Sequence, residues 1–245
     1  MALAGTAALA MWWHIAPEVR ADFEHWHAHE HFPERLAIPG FLRASRWSSS
    51  DGDGDGDSDG ATFVLYELSD PTVLHSPAYL ARLNAPTAWS TRLMPHHRQM
   101  VRSQCQVLES RGGVTARAAL TVRLAPSPGR EAELRQALRR LADTLPLQAG
   151  IAGLHLLQHA PPPLEATTEQ HLRGLADGAA AWIVIASGYS RDAVAALGGG
   201  DLSEPALVAM GALPGATHQH FDLAYAALGS DVAGIALPAS AAPAA

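Results

Sequence analysis

The sequence predicts an α+β protein in which two consecutive halves each follow the order strand, helix, strand, strand, helix, strand. Alternating and helically spaced apolar residues occur in this order on both sides of Arg111, Gly112 and Gly113, which mark the boundary. The chain has 245 residues, enough for two such halves. Pro17 marks the start of the first helix, because proline at a first helical position loses no needed hydrogen bond.

The first half is predicted to span 1–110. Its strands are predicted at 7–15, 40–48, 61–68 and 100–108. One helix follows Pro17, and a second covers 77–94 with a break at Pro86, since proline interrupts the helical hydrogen bonds. The segment 51–60 is predicted to be a loop.

The second half is predicted to span 114–230, and 231–245 to form a flexible tail. Its strands are predicted at 118–124, 154–159, 181–187 and 218–225, its helices at 129–144, 191–197 and 204–210. The segment 161–177 is an insertion containing one further helix. This order is that of a ferredoxin-like βαββαβ unit, used twice. Each antiparallel sheet leaves one face bare, so the two sheets are expected to face each other as a barrel.

Composition excludes several classes of partner. The net charge is −7, but without the five aspartates of 51–60 the 24 acidic residues fall to 19 against 17 basic ones. The folded body therefore offers no basic surface for nucleic acid and no basic stripe for a membrane. The lone Cys105 predicts a reducing, cytoplasmic location. The apolar start at 1–10 lacks the basic region of a signal peptide.

One sheet face of the first half mixes aromatic and polar residues. Strand alternation groups the following side chains on that face: Trp12, His14, Arg43, Trp47, Tyr66 and Arg102. Apolar walls with a few fixed polar groups are typical of a ligand cavity, which we predict here. The alternative is a polar interface with all its hydrogen bonds satisfied. His96, before the fourth strand, is expected near the barrel entrance.

The first helix carries a carboxylate among apolar residues. Phe23, Trp26 and Glu30 fall on one helical stripe that faces the sheet. A buried, unpaired carboxylate is costly, so Glu30 needs a partner. Glu30 with a histidine and an arginine could form a general acid/base unit. It could equally be a structural anchor for the end of the helix.

Two patterns resemble metal sites without completing them. The pairs His25/His29 and His27/His31 are four residues apart, but the metalloprotease pattern His-Glu-x-x-His is absent. The aspartates of 51–60 resemble the first half of a calcium loop, but Thr62 stands where the bidentate glutamate belongs. Surface histidines and a flexible loop are the alternatives, and no metal site is predicted.

The region 23–41 resembles the first helix and second strand of EthD-like proteins, members of the dimeric α+β barrel superfamily. The matching residues are Phe23, Trp26, His27, Glu30, His31, Pro33, Glu34, Arg35, Leu36, Pro39, Gly40 and Phe41. The resemblance covers roughly residues 8–108 and is one of fold alone beyond them. It implies an internal dimeric α+β barrel with a small organic molecule between sheet and helix. The superfamily includes monooxygenases, lactone isomerases, dehydratases and haem enzymes.

These observations together predict a protein that binds or converts a small aromatic or carbonyl-containing metabolite in its first half. Glu30 and His31 are the catalytic candidates. The ligand-binding candidates are His14, Arg35, Arg43, Trp47, Tyr66 and His96. A cofactor-independent oxygenase, isomerase or dehydratase is expected, with no cofactor. The alternatives are a non-catalytic binding or structural protein and a haem-binding or monooxygenase-like enzyme. A homodimer in addition to the internal pairing is left open.

Overall fold

The computed structural model describes residues 2–49, 60–161, 166–174 and 177–235. Its strands are β1 Ala7–Ile15, β2 Phe41–Ser49, β3 Ala61–Leu68, β4 His97–Gly112, β5 Ala118–Leu124, β6 Ile151–His159, β7 Trp182–Gly188 and β8 Thr217–Leu228. Its α-helices are α1 Arg20–Trp26, α2 Phe32–Leu36, α3 Pro77–Asn84, α4 Ala88–Leu93, α5 Glu131–Thr144, α6 Thr168–Leu172, α7 Arg191–Gly199 and α8 Glu204–Met210. The aspartates considered for calcium, and the chain after residue 235, lie outside the described residues.

The eight strands form a closed antiparallel barrel. Their order around it is β1, β3, β2, β8, β5, β7, β6, β4 and back to β1. Each half of the chain fills four consecutive positions, and the pairs β2–β8 and β4–β6 join the halves. The mixed α/β architecture and the barrel predicted from the sequence are confirmed. No helix in the described part of the chain is both long and apolar enough to cross a membrane.

Element boundaries follow local sequence signals closely. β1, β3 and β5 have the predicted limits, whereas β4 is longer because it pairs with β1 along its first part and β6 along its last. The break predicted at Pro86 separates α3 from α4. Thr87 then caps α4, its side-chain oxygen accepting the backbone N–H of Ser90 at 3.0 Å.

The barrel interior is packed with aromatic and aliphatic side chains. Trp12 stacks on Phe63 with ring centroids 4.8 Å apart, and Phe63 contacts Phe221 at 5.7 Å. The indole N–H of Trp12 donates to Thr121 Oγ1 at 3.2 Å. Trp47 is also fully buried in this interior cluster.

The mixed sheet face expected from the sequence divides between two sides of the sheet. Residues directly opposite each other on antiparallel strands share a face. Tyr66 lies opposite Leu9, and Arg102 opposite Met11, so both belong to the helix-covered side. Phe63 lies opposite Trp12 and points into the barrel. The alternation of β3 could not distinguish these faces, because both of its faces are apolar or aromatic.

The helix-covered sides of the two halves differ in chemistry. In the second half, aliphatic residues of the strands, such as Leu120 and Leu156, pack against aliphatic residues of the helices, such as Leu134 of α5. In the first half, aromatic residues such as Trp13 and Trp26 are more frequent than in the second half, and a set of histidine rings packs against them. Polar chemistry is therefore concentrated beneath the helices of the first half.

Candidate functional site

The histidine segment predicted as one regular helix contains a π-helical turn, His27–His31, between α1 and α2. The N–H of Phe32 donates to the carbonyl of His27, five residues earlier. Pro33 has no N–H to give the carbonyl of His29, which a regular helix would need, and this favours the wider turn. Such turns occur frequently at functional sites.

The wider turn directs two histidines towards the sheet. The His31 ring lies 4.5 Å from that of Trp26 and 5.3 Å from that of His27. The His27 and His31 side chains are both buried. His25 and His29 remain exposed on the outer side. Among the described residues, no three histidine, cysteine or acidic side chains are arranged to hold a metal ion.

A cavity of about 30 Å³ lies between these helical segments and the sheet. Trp13 and Tyr66 line it from the strands, and His31 and Arg35 line it from the histidine segment and α2. Glu169 in α6 closes it from the insertion of the second half. This volume holds about two water molecules, so only a small part of a ligand fits inside.

Five buried polar atoms around this cavity have no hydrogen-bond partner among the described residues. They are Trp13 Nε1, His27 Nδ1, His31 Nδ1, Arg35 Nη1 and Tyr66 Oη. Leaving a buried polar group unpaired costs about 1–3 kcal/mol, and such groups are rare in folded proteins. Their convergence on one cavity is the observation that most clearly indicates a ligand site.

The charges around the cavity form a chain of ion pairs. Arg35 binds Glu169, and its guanidinium lies 5.6 Å from the Tyr79 ring centroid. Arg173 lies 3.9 Å from Glu169 and 2.9 Å from Asp177. Arg102 Nη2 donates to the Tyr79 hydroxyl at 2.9 Å. Arginine charges thus outnumber acidic ones in the cavity wall, which favours an anionic group.

The histidines of the cavity are held neutral. Burial, with help from nearby arginines, lowers the pKa of His27 and His31 well below the usual value. Burial lowers the pKa of His97 to about 4. Burial raises the pKa of Tyr66, which therefore keeps its proton and can donate it in a hydrogen bond. At neutral pH the site combines neutral imidazoles with donors from tyrosine and arginine.

We expect the free energy of unfolding to fall as pH drops from 6.5 towards 4.5. Burial also lowers the pKa of His155 to about 4, so four histidines bind protons more readily in the unfolded state. Glu34, whose pKa burial raises to about 7, acts in the opposite direction. For each proton that the unfolded state binds in excess of the folded state, the free energy of unfolding changes by about 1.4 kcal/mol per pH unit. Urea unfolding at several pH values in this range measures the slope, and His97→Gln should make it shallower. A free energy of unfolding that does not change with pH would show that these histidines are not buried in neutral form.

A groove of about 340 Å³ adjoins the cavity. Tyr79, Leu83 and Arg102 line both spaces. The far wall of the groove comes from the insertion, including Gln170 and Asp177. The small cavity provides polar groups for one end of a ligand. The larger groove provides both polar and apolar groups for the rest of it.

The structure brings together three of the predicted site residues. His31, Arg35 and Tyr66 line the cavity. Of the two adjacent histidines at the start of β4, the structure places His97 in the wall, where its Nδ1 contacts the Leu93 carbonyl at 3.2 Å. His96 is half-buried and lies outside the lining.

The other predicted residues lie elsewhere. Arg43 forms a bidentate pair with the buried Glu67 on the barrel-facing side, with distances of 2.5 and 2.7 Å. Trp47 donates its indole N–H to Ser45 Oγ at 3.0 Å inside the barrel. His14 follows Trp12 by two residues near the end of β1. Strand alternation places these side chains on the face opposite Tyr66.

Glu30 lies beside the cavity wall but is not part of the lining. Its Oε1 accepts hydrogen bonds from Trp26 Nε1 at 3.0 Å and from Thr87 Oγ1 at 2.5 Å. Ser90 Oγ lies at 3.5 Å from the same oxygen. The carboxylate thereby joins the histidine segment to the start of α4, as in the anchoring alternative.

Glu169 and Arg173 belong to the cavity wall, but no pattern in the sequence assigns them to a site. They come from the insertion of the second half and reach the first half's cavity only in the folded chain. Their spacing of four residues is a signal for a helical ion pair, although not for its location. Strand alternation predicts that Trp13 lies on the apolar face of β1, opposite to Trp12, and no pattern in the sequence indicates its unpartnered N–H.

No protein-family model and no curated protein matches this sequence. Several solved structures share its fold. An anthrone oxidase-like protein aligns with a TM-score of 0.60 at 12% identity, covering 98% of this chain and 99% of that one. A protein provisionally described as a monooxygenase, from Fusobacterium nucleatum subsp. nucleatum ATCC 25586, aligns with a TM-score of 0.58 at 7% identity, covering 92% and 95%.

A third structure, provisionally described as a chlorite dismutase, aligns with a TM-score of 0.50 at 11% identity, covering 95% of this chain and 100% of that one. These proteins have the dimeric α+β barrel fold, which is the fold of this chain. Identities this low show the fold alone, so activity has to be argued from the site.

Proposed function

We propose that this protein is a small-molecule enzyme that oxygenates an aromatic or carbonyl-containing compound whose reactive polar end enters the cavity beneath the first-half helices. The convergence of five unpartnered buried polar atoms on that cavity carries the proposal. The descriptions of two fold neighbours, anthrone oxidase-like and monooxygenase, support the oxygenase type.

The donors of the cavity suit an oxygen atom that becomes negatively charged. A ketone with an activated CH₂ group can ionise to an enolate, and Arg35, Trp13 and Tyr66 each present an N–H or O–H to such an oxygen. The neutral His31 accepts the proton. Dioxygen then converts CH₂ to C=O, supplying the carbonyl oxygen and leaving its second oxygen as water with both hydrogens.

In this proposal Glu30 and His31 have different roles. His31 lines the cavity and carries the proton transfer. Glu30, held by Trp26 and Thr87, positions the turn on which His31 stands. Arg35 and Tyr66 bind the oxygen, and Glu169 fixes Arg35 through their ion pair.

We also propose that the chain consists of two tandem ferredoxin-like repeats, that it is EthD-like, and that it is located in the cytoplasm. Within each half the strand order is fourth, first, third, second, which supports two tandem ferredoxin-like repeats. The resemblance of 23–41 to EthD-like proteins supports the same family placement. A single buried cysteine, Cys105, supports a reducing cytoplasmic location.

Haem does not fit the cavity in this conformation. A volume of about 30 Å³ is far smaller than the macrocycle requires. No step of the proposed reaction is therefore assigned to haem.

Oxygen consumption with a panel of aromatic ketones and phenols tests the proposal. We expect one class to give a product that has gained one oxygen and lost two hydrogens, detected by mass spectrometry. His31→Gln should lower the rate about 100-fold, the usual range for loss of a general base. His29→Gln, exposed on the outer side of the same turn, is the matched control and should leave the rate unchanged.

Two results would overturn the proposal. One is an unchanged rate in His31→Gln. The other is tight binding of panel compounds without turnover, which would make the protein a non-catalytic binding protein.

A further inference from the structure

We propose that the substrate carries a carboxylate and that Arg102 binds this group at the junction of the cavity and the groove. This inference rests on the proposed function and adds a substrate class to it. The oxygen to be ionised enters the cavity, and the carboxylate lies outside it, in the groove.

Arg102 lies where the cavity meets the groove. Arg102 lies on β4 opposite Met11 and lines both the cavity and the groove. A ligand whose reactive oxygen sits in the 30 Å³ cavity must therefore extend past this guanidinium. Arg102 is partly buried, so water weakens its interactions less than at an open surface.

The positive charge of Arg102 has no acidic partner in the part of the chain that the structure describes. Among the described residues, no carboxylate lies within ion-pair distance of Arg102, and its side chain donates to the Tyr79 hydroxyl. Asp177, the acidic residue of the groove wall, is bound to Arg173 at 2.9 Å. Glu169 is bound to Arg35. The surrounding acids are thus already paired, which leaves the Arg102 charge for a ligand.

The groove combines this guanidinium with apolar and polar side chains. A guanidinium binds a carboxylate through two parallel N–H donors, a geometry that neutral groups do not match. Leu74 and Leu83 supply apolar contacts for a ring, while Gln170 and Thr167 add polar groups at the rim. A volume of about 340 Å³ is within the range of pockets for small organic ligands. The site therefore fits an aromatic carboxylate.

Binding of 4-fluorobenzoate and of its neutral amide, 4-fluorobenzamide, followed by ¹⁹F NMR, tests the inference. We expect the intact protein to bind the benzoate about tenfold more tightly than the amide, as for a charge-assisted hydrogen bond. Arg102→Gln should remove this preference, and Arg102→Lys should restore part of it. Arg140→Gln, on the exposed side of α5, is the control and should keep the full preference.

Equal affinity for the two compounds, no measurable binding of the benzoate, or a preference that survives Arg102→Gln would each overturn the inference.

These results are distinct from a failure of the proposed function, because the affinity ratio is measured without turnover. If neutral ketones are oxygenated as fast as those bearing a carboxylate, the proposed function stands and the substrate class is wrong. If the carboxylate preference is found without any turnover, the proposed function fails and the binding inference stands.

Discussion

Phe63→Ala is expected to lower the free energy of unfolding by about 3–5 kcal/mol, the usual cost of truncating a fully buried phenylalanine. Phe63 has no exposed surface and lies between Trp12 and Phe221 in the barrel interior. Closed strand pairing limits how far the barrel can contract around the lost ring. Urea unfolding monitored by tryptophan fluorescence measures the loss.

Leu147→Ala is the matched control for this substitution. Leu147 is 85% exposed, so its truncation should change the free energy of unfolding by less than about 0.5 kcal/mol. Phe63→Ala should leave ligand affinity nearly unchanged, because its ring and the cavity lie on opposite faces of the sheet. A loss below about 1 kcal/mol for Phe63→Ala would contradict a tightly packed interior.

Tyr66→Phe is expected to change stability and turnover in opposite directions. The Tyr66 hydroxyl is buried without a partner among the described residues, so its removal should raise the free energy of unfolding by about 1 kcal/mol. The same hydroxyl is a proposed donor to the ionised substrate oxygen, and its loss should lower turnover at least about 100-fold. Unfolding and steady-state kinetics on one protein preparation measure both effects.

Tyr79→Phe provides the contrast for stability. The Tyr79 hydroxyl accepts a hydrogen bond from Arg102 at 2.9 Å, so its removal should cost about 1 kcal/mol rather than gain it. A stability loss in Tyr66→Phe as large as that in Tyr79→Phe would show that the Tyr66 hydroxyl is satisfied within the protein. The Tyr66 hydroxyl would then not be one of the unpartnered polar atoms of the cavity.

Much of the fold follows from local sequence patterns. Period-two alternation with turn residues located β1, β3 and β5, and Pro86 located the break between α3 and α4. The pattern could not assign the faces of β3, because Phe63 and Tyr66 are equally suited to either side. Only the register with β1, set by the whole sheet, decides between them.

The candidate site was predictable in part. Glu30 on an apolar stripe correctly indicated a buried carboxylate in need of partners, but its partners Thr87 and Ser90 lie about 60 residues further along the chain. The π-helical turn at 27–31 shifts the helical phase, so the His31 ring lies 4.5 Å from that of Trp26, five residues earlier, a contact that regular helical spacing does not predict. Glu169 reaches the cavity from the other half, which no local pattern reports.

We expect ligand to bind beneath the helices of the first half and not inside the barrel. The chain has six tryptophans, and each gives one indole N–H signal in a ¹H–¹⁵N spectrum. On titration with a compound that the protein turns over, the signal of Trp13 should shift, while those of Trp12 and Trp47 in the barrel interior should stay in place. Shifts of Trp12 and Trp47 with an unmoved Trp13 would contradict this expectation.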